Sequence, residues 1–282
     1  MGRVTSRRRL VRIVDGVVSE PVDTLAAEEP LEIRVNGRSL VVTMRTPGDD
    51  FDLAAGFLVS EGVVRAAGEI AGIRYCAGAT ADGVNTYNVV DVVLAAGVAP
   101  PDPSLERNFY TTSSCGLCGK ASLDAVRTIA AWSVADDPMR LDPEVVSTLP
   151  DTLRAAQRVF DRTGGLHAAA LFSADGRLHC LREDVGRHNA VDKVVGWALR
   201  NGRVPLRGTV LMVSGRASFE LVQKAVMAGI PALAAVSAPS SLAADLASDA
   251  GLTLVGFLRG SSMNVYAAAH RLTQRAPTIL SA

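Results

Sequence analysis

The segment with the clearest chemical potential is Cys115-Gly116-Leu117-Cys118. It lies within Phe109–Lys120, where serine, threonine and glycine predominate and no apolar periodicity is present, so we expect a flexible surface loop. A helix predicted from about Ala121 to Trp132 would place its positive end near Cys118, and Lys120 adds a cation. Both favour the thiolate, which is the nucleophilic form. Since the two cysteines can also close on each other, the pair predicts a reactive thiol centre.

Three other chemistries fit this cysteine pair less well. A structural zinc site needs four ligands, whereas Cys76, Cys180, His167 and His179 are scattered single residues. A zinc-dependent deaminase would have His-x-Glu before Pro-Cys-x-x-Cys, but the sequence has no His-x-Glu, and Ser114 replaces the proline. A thioredoxin-like pair would follow the first strand of a βαβ unit, not a proline-rich break in mid-chain. Cys76 and Cys180 have apolar or aromatic neighbours and are predicted to be buried.

Three polar turns in the second half are candidates for anion binding: Ser214–Ser218, Ser237–Ser241 and Arg259–Asn264. Each is predicted to join a strand to a helix, and in a parallel sheet such turns lie where ligands bind. Helix N-termini suit phosphate, and Arg216 and Arg259 could add bidentate contacts. Ordinary helix capping explains any single turn equally well. The three together favour a phosphorylated ligand, although the motifs for ATP hydrolysis and NAD binding are absent from the sequence.

Glu183–Lys193 is the densest polar run in the chain. His188 and Asp192 are four residues apart and could share a face of the helix that this run opens. Two interpretations stay open, namely a solvated helix start with ion pairs and a site for binding or partner contact. Thr163–His167 is a glycine turn before an apolar strand, where a single histidine is more often structural.

The first half, from about residue 10 to 105, has the pattern of an α+β unit. Four β-like runs are present: Leu31–Val35, Leu40–Arg45, Ile70–Tyr75 and Asn88–Leu94. Asn36-Gly37 predicts a hairpin turn between the first two runs. A helix is predicted over Phe51–Ser60, with Asp49 or Asp50 as its cap and Glu61-Gly62 as its stop.

From about residue 150 the pattern alternates strand and helix. Strands are predicted at 168–172, 209–214, 232–237 and 252–258, and helices at 189–200, 218–229, 242–250 and 264–274. This alternation predicts a mainly parallel sheet covered on both faces, and therefore an α/β fold. We expect an N-terminal α+β domain at 1–105, the cysteine loop and a connecting helix at 106–140, and an α/β domain at 141–282.

Composition sets limits on the class of protein. The chain has 282 residues with 48% hydrophobic residues and a formal net charge of +0, which gives no reason to expect nucleic acid or an anionic membrane as partner. No apolar run is long enough to span a bilayer. Arg7-Arg8 superficially resembles a twin-arginine signal, but no apolar segment follows it, and a solvated basic arm is expected instead. These features predict a cytoplasmic protein.

Several segments together resemble the FdhD family of formate dehydrogenase accessory proteins. The matching stretches are Phe51–Gly62, Ser113–Gly119, Thr163–His167, Glu183–Lys193, Ser214–Arg216 and Gly256–Tyr266. They span nearly the whole chain in consistent order, and the cysteine pair shows no departure from the family pattern.

The resemblance implies a sulfur carrier. A cysteine desulfurase (IscS-like) would pass persulfide sulfur to Cys115, and Cys118 would assist its transfer to the bis-guanine-dinucleotide molybdenum cofactor, Mo-bis(molybdopterin guanine dinucleotide), of formate dehydrogenase. Phe257, Leu258, Arg259, Gly260, Ser261 and Ser262 would contact this cofactor, and Ser214, Arg216 and Asn264 are further candidates for the same contact. The resemblance also implies a cytidine deaminase-like three-layer α/β/α arrangement for the C-terminal half, no protein-ligated metal, and a homodimer.

Two other functions stay open. The first is a cofactor-binding chaperone that stabilises formate dehydrogenase and its cofactor without moving sulfur. The second is a thiol-disulfide oxidoreductase that uses the cysteine pair as a redox couple.

Overall fold

The described part of the chain, in a computed structural model, comprises residues 4–76, 86–101, 126 and 130–273. Eight strands lie in its first half: β1 Thr5–Arg9, β2 Arg12–Val14, β3 Val17–Ser19, β4 Val22–Ala26, β5 Glu29–Val35, β6 Arg38–Arg45, β7 Ile70–Tyr75 and β8 Val89–Leu94. The last four form one sheet in the order β6-β5-β8-β7, and they confirm the four predicted strands. The first four form a long hairpin, where the sequence predicted only a solvated arm.

The Asn36-Gly37 turn joins β5 to β6, as predicted. Both residues have positive φ, 50° and 81°, which is the conformation of a type I′ turn and matches the twist of the two strands. The Asn36 side chain also accepts a hydrogen bond from Leu94 N at 3.0 Å, so the turn is tied to β8.

Helix α1, Asp50–Ser60, confirms the predicted helix, but its start differs from the prediction. Asp49 occupies the cap position with φ 54° and makes no side-chain capping hydrogen bond. The Asp50 carboxylate instead accepts from the buried guanidinium of Arg45 at 3.0 and 3.1 Å. The demand of a buried arginine for a carboxylate therefore outweighs helix capping here. The helix ends at Glu61-Gly62 as predicted, with Gly62 at φ 74°.

The second half contains six strands and five α-helices within the described residues. The strands are β9 His167–Ser173, β10 Leu178–Asp184, β11 Thr209–Val213, β12 Ala232–Ala235, β13 Thr253–Arg259 and β14 Ser262–Ala267; the helices are α2 Pro143–Ala156, α3 Phe160–Thr163, α4 Arg187–Arg200, α5 Phe219–Met227 and α6 Ser241–Ala250. The strand order is β10-β9-β11-β12-β13-β14. None of the described helices meets the length and hydropathy needed to cross a membrane.

The prediction of a mainly parallel sheet is wrong. Only β11, β12 and β13 pair in parallel, and the other three neighbouring pairs are antiparallel. The helix predicted at 264–274 is also wrong, since Ser262–Ala267 form β14 and the rest of that range contains no α-helix up to residue 273. Met263 and Val265 pack against the core while Ser262, Asn264 and Tyr266 are exposed, which is the two-residue period of a strand.

Helices cover both faces of this mixed sheet. Phe172, Met212 and Val255 point to the face that packs against α2. Leu171, Leu211 and Leu254 point to the other face, which packs against α4, α5 and α6 in a core that continues into α1 and the first sheet. The two halves of the chain therefore share one hydrophobic core.

The tightest packing in that core is the contact between α1 and α4. A Cβ built on Gly56 would lie 1.8 Å from the carbonyl oxygen of Asp192, and one built on Gly196 would lie 1.8 Å from that of Asp52. Such distances leave no room for a side chain on either helix. The two glycines thus allow direct contact between the helix backbones.

We predict that Gly56→Ala lowers the free energy of unfolding by about 3 kcal/mol, the upper end of the usual cost of overpacking, because one methyl group would force the two helices apart. Urea denaturation monitored by circular dichroism measures this change. Gly68→Ala is the matched control, because a Cβ at Gly68 would meet nothing within 4 Å. Equal stability of the two variants would contradict the described helix contact.

Candidate functional site

The predicted polar turns meet at one edge of the six-stranded sheet. The carboxyl ends of the parallel strands β11, β12 and β13 lie there. Because β9 runs antiparallel to β11 and β10 antiparallel to β9, the start of β9 and the end of β10 reach the same edge. The tight turn between β13 and β14 is there too. His167, Asp184, Ser214, Ser237 and Arg259 therefore lie on successive strands along this edge, called here the polar edge.

The turn after β11 is fixed by Ser214. Its hydroxyl oxygen accepts from Ala168 N at 2.9 Å and its own N–H donates to Ala168 O at 3.0 Å, so the turn is held against the start of β9. A Cβ on Gly215 would lie 3.5 Å from His167 Nδ1, which places the imidazole beside this turn. Arg216 follows and is exposed. The Ser214 side chain thus holds the turn in place, whereas Arg216 is accessible to a ligand.

Two of the helices that start at the polar edge, α5 and α6, are capped differently. Ser240 caps α6 in the ordinary way, since its hydroxyl accepts from Ala243 N at 3.2 Å. Ser218 makes no side-chain capping bond to α5, and its hydroxyl lies 3.4 Å from His188 Nε2. The same imidazole nitrogen lies 2.6 Å from a Glu220 carboxylate oxygen. The capping interpretation therefore explains α6, whereas Ser218 belongs to a polar cluster with His188 and Glu220.

The third turn, Arg259–Asn264, leads into β14 and not into a helix, so it has no helix N-terminus to offer. Arg259, Gly260, Ser261, Ser262 and Asn264 are all exposed there. Leu258 is completely buried and belongs to the core on the α2 side. An anion at this turn would meet the Arg259 guanidinium, hydroxyl groups and backbone groups.

Phe257 has an unusual conformation for its residue type. It is 41% exposed and has φ 52°, in the left-handed region that costs a residue other than glycine about 1–2 kcal/mol. Its N–H donates to Ser237 O at 3.2 Å, and the strand register shifts between Gly256 and Arg259. This strained bulge exposes an aromatic ring at the polar edge, a type of feature that is concentrated at functional sites.

Gly256 shows how tightly this bulge is held. A Cβ there would lie 2.9 Å from the Pro239 ring and 3.0 Å from the Tyr266 ring. Tyr266 is 39% exposed, and its hydroxyl lies 3.4 Å from Asn264 Nδ2. In the sequence, Tyr266 ends the matching stretch Gly256–Tyr266, and its exposure follows from the two-residue period of β14, where the pattern predicted a helix.

The polar run Glu183–Lys193 is buried over much of its length, so its interpretation as a solvated helix start is wrong. Asp184 is fully buried and accepts from Thr46 N at 3.1 Å and Gly186 N at 2.8 Å, and it pairs with Lys193 Nζ at 2.7 Å. Lys193 Nζ also donates to Thr46 O at 2.9 Å. This ion pair therefore joins the end of β10 and α4 to the segment that follows β6.

His188 and Asp192 do not act together, although they are four residues apart. Asp192 is buried, accepts from the Ser60 hydroxyl at 2.6 Å and pairs with Lys224 at 2.8 Å. His188 pairs with Glu220 at the polar edge. Only the first part of the run thus reaches the candidate site, and the remainder holds α4 in place.

The cysteine pair lies outside the described residues, as do Phe109–Lys120 and most of the helix predicted at 121–132. Cys180 is buried, and burial raises the pKa of its thiol to about 12. This confirms that Cys180 is buried, and a thiol with that pKa does not ionise at neutral pH. Cys76 is only partly buried, so its predicted burial is met in part.

Known proteins of similar structure define the class to which this chain belongs. A crystal structure described as that of a formate dehydrogenase accessory protein from Desulfotalea psychrophila superposes with a TM-score of 0.72 at 25% identity, over 96% of this chain and 100% of that chain.

The model of the FdhD/NarQ family matches residues 26–273, and the chain belongs to that family. Curated relatives named "Sulfur carrier protein FdhD" include one from Streptomyces avermitilis, which is 73% identical over 98% of both chains. Another, from Mycolicibacterium paratuberculosis, is 61% identical over 96% of this chain and 99% of its own. The resemblance inferred from the sequence is confirmed.

We predict that the His167 imidazole titrates below its usual pKa of 6.5, because burial, followed by the charges of Arg187 and His188, disfavours the imidazolium. The unfolded chain then binds more protons as the pH falls through 6.5, so acidification destabilises the fold through this group. NMR titration measures the pKa, and Arg187→Gln is expected to raise it. A His167 midpoint above 6.5 would contradict the described surroundings of the ring.

Proposed function

We propose that the chain is a sulfur carrier that serves formate dehydrogenase. The Cys115 thiolate attacks the terminal sulfur of a persulfide on a cysteine desulfurase of the IscS-like kind, which forms the Cys115 persulfide and releases the desulfurase thiolate. Cys118 then attacks Cys115 Sγ, so that a disulfide forms and hydrosulfide leaves for the molybdenum of the cofactor. A cellular dithiol reduces the disulfide and restores both thiols.

The cargo that receives this sulfur is Mo-bis(molybdopterin guanine dinucleotide). It carries several phosphates and two guanines, and the polar edge offers chemistry suited to both. Arg216 and Arg259 are exposed cations there. Phe257 exposes an aromatic face on which a planar ring could stack.

The observation that carries this proposal is the convergence on one sheet edge of turns that are far apart in the sequence, in a chain of the FdhD/NarQ family. The proposal extends to a cytidine deaminase-like arrangement of the C-terminal half, to a homodimer, and to the reducing cytoplasm, where an unpaired thiol persists.

Cys115→Ala is expected to abolish sulfur loading when the purified protein is incubated with a desulfurase and labelled cysteine. Mass spectrometry of the Cys115 peptide should show one added sulfur atom in the unmodified chain. Cys180→Ser is the matched control and should load normally, because that thiol is buried. Undiminished loading of Cys115→Ala would contradict the assigned role.

The same variants distinguish the chaperone alternative. A chaperone that moves no sulfur would restore formate dehydrogenase activity with both Cys115 and Cys118 changed to alanine, whereas a carrier would not. A thiol-disulfide oxidoreductase would instead reduce protein disulfides without any desulfurase present.

Replacing Arg216 and Arg259 by glutamine is expected to weaken binding of guanosine diphosphate about tenfold or more, because two cations that face the phosphates are lost. Isothermal titration calorimetry with guanosine diphosphate, the nucleotide part of the cargo, measures this. Arg203→Gln is the control, because Arg203 lies near Thr209 at the opposite end of the sheet. Equal weakening by both changes would show that only general charge matters.

A further inference from the structure

The N-terminal hairpin, residues 4–27, presents most of the exposed apolar surface of the described chain. β1 pairs with β4 and β2 with β3, and a hydrogen bond from Leu10 N to Pro21 O joins the two ladders. All ten residues from 11 to 20 are exposed. Eight of the eleven large apolar side chains exposed in the described chain belong to this hairpin: Val4, Val11, Ile13, Val14, Val17, Val18, Val22 and Leu25.

Aliphatic side chains lie on both faces of the hairpin near its tip. Ile13 is opposite Val18 and Val14 is opposite Val17, and since successive residues of a strand alternate, these pairs lie on opposite faces. Their exposures range from 56% to 69%. A two-stranded hairpin alone is at best marginally stable in water, and an apolar surface of this extent marks an interaction site. The hairpin therefore needs another surface to cover its apolar side chains.

We infer that the hairpin is the surface through which two copies of this chain pair. Its two strands carry opposite charge. Residues 5–14 include Arg7, Arg8, Arg9 and Arg12 and no acid, whereas residues 17–26 include Glu20 and Asp23 and no base. Within one hairpin Arg8 is opposite Asp23 and Arg9 lies 3.8 Å from Glu20, and a second hairpin that packs across the first with its strands exchanged would extend this alternation of charge in both directions. This self-complementarity is what a two-fold interface requires.

The dimensions of the hairpin limit how much surface it can contribute to this pairing. Ten residues per strand at about 3.4 Å each, and two strands about 4.8 Å apart, give roughly 34 by 10 Å, or about 340 Å² for each face. One face is well short of the roughly 800 Å² per partner of a specific interface, and the base of the hairpin already packs against its own chain, where Ala26 lies beside Gly165. Both faces must therefore contribute, one against the partner's hairpin and one against its body.

The charge at the tip opposes a lipid bilayer as the alternative partner. Asp15 occupies the turn between β2 and β3, with φ 50°, so a hairpin that entered a membrane would carry a carboxylate at its leading end. The hairpin would be the interface of the homodimer, so this inference rests on the homodimer of the proposed function. It does not depend on sulfur transfer.

The test compares the full-length chain with a variant in which Ile13, Val14, Val17 and Val18 are all changed to threonine. Threonine keeps the β-branched shape that strands favour, so circular dichroism should not change. Analytical ultracentrifugation should show a dimer of the unmodified chain and a dimer Kd raised at least about tenfold in the variant. Tyr266→Thr, which removes an exposed apolar side chain elsewhere, should leave the dimer Kd unchanged.

A charge exchange tests the pairing itself. Arg8→Glu with Arg9→Glu, and separately Glu20→Lys with Asp23→Lys, should each prevent pairing, and an equimolar mixture of the two variants should restore it. Three results would overturn the inference: a monomeric unmodified chain, a threonine variant that pairs normally, or a monomer that binds phosphatidylglycerol vesicles through these four aliphatic side chains. An unmodified chain that is monomeric and still loads sulfur on Cys115 would contradict the proposed interface but not the proposed sulfur-carrier function.

Discussion

The direct backbone contact between α1 and α4 is the constraint on which the arrangement of the two halves depends. Each helix carries Asp-x-x-x-Gly, as Asp52 to Gly56 and Asp192 to Gly196, and each glycine faces the carbonyl of the other helix's aspartate. The carboxylates of the same aspartates also bind the facing helix, since Asp52 pairs with Arg200 of α4 and Asp192 accepts a hydrogen bond from the Ser60 hydroxyl of α1. Glycine lets the helices approach, and the paired carboxylates fix their register, because a buried charge that loses its partner is costly.

This contact also determines the geometry of the polar edge. Helix α4 begins at Arg187, so its position places His188 beside Ser218 and Glu220. The buried pair of Asp184 and Lys193 joins the same helix start to Thr46. The first half of the chain therefore holds the start of α4 in position at the candidate site.

The sequence predicts local features of this fold better than the relations between distant segments. The hairpin at Asn36-Gly37 and helix α1 follow from turn residues and apolar spacing, and both are confirmed. The antiparallel strands β10 and β14 were missed because their pairing depends on partners elsewhere in the chain and their apolar alternation is short. Likewise, Asp184 and Lys193 look like solvated charges in sequence, and only their packing against Thr46 shows that they are buried. The turns of the polar edge were predicted from the sequence. The cluster of His188, Ser218 and Glu220 was not, because it forms only when α5 lies beside α4.

Whether a cysteine of this chain can react depends on its burial. Cys180 is in the middle of β10, where burial raises its pKa to about 12, so it cannot serve as a nucleophile at neutral pH. A sulfur acceptor must ionise and must meet first a donor and then a recipient, which excludes any position inside the shared core. In the sequence, Cys115 and Cys118 fall between Leu94, where β8 ends, and Pro143, where α2 begins, and so outside the strands and helices described for that core.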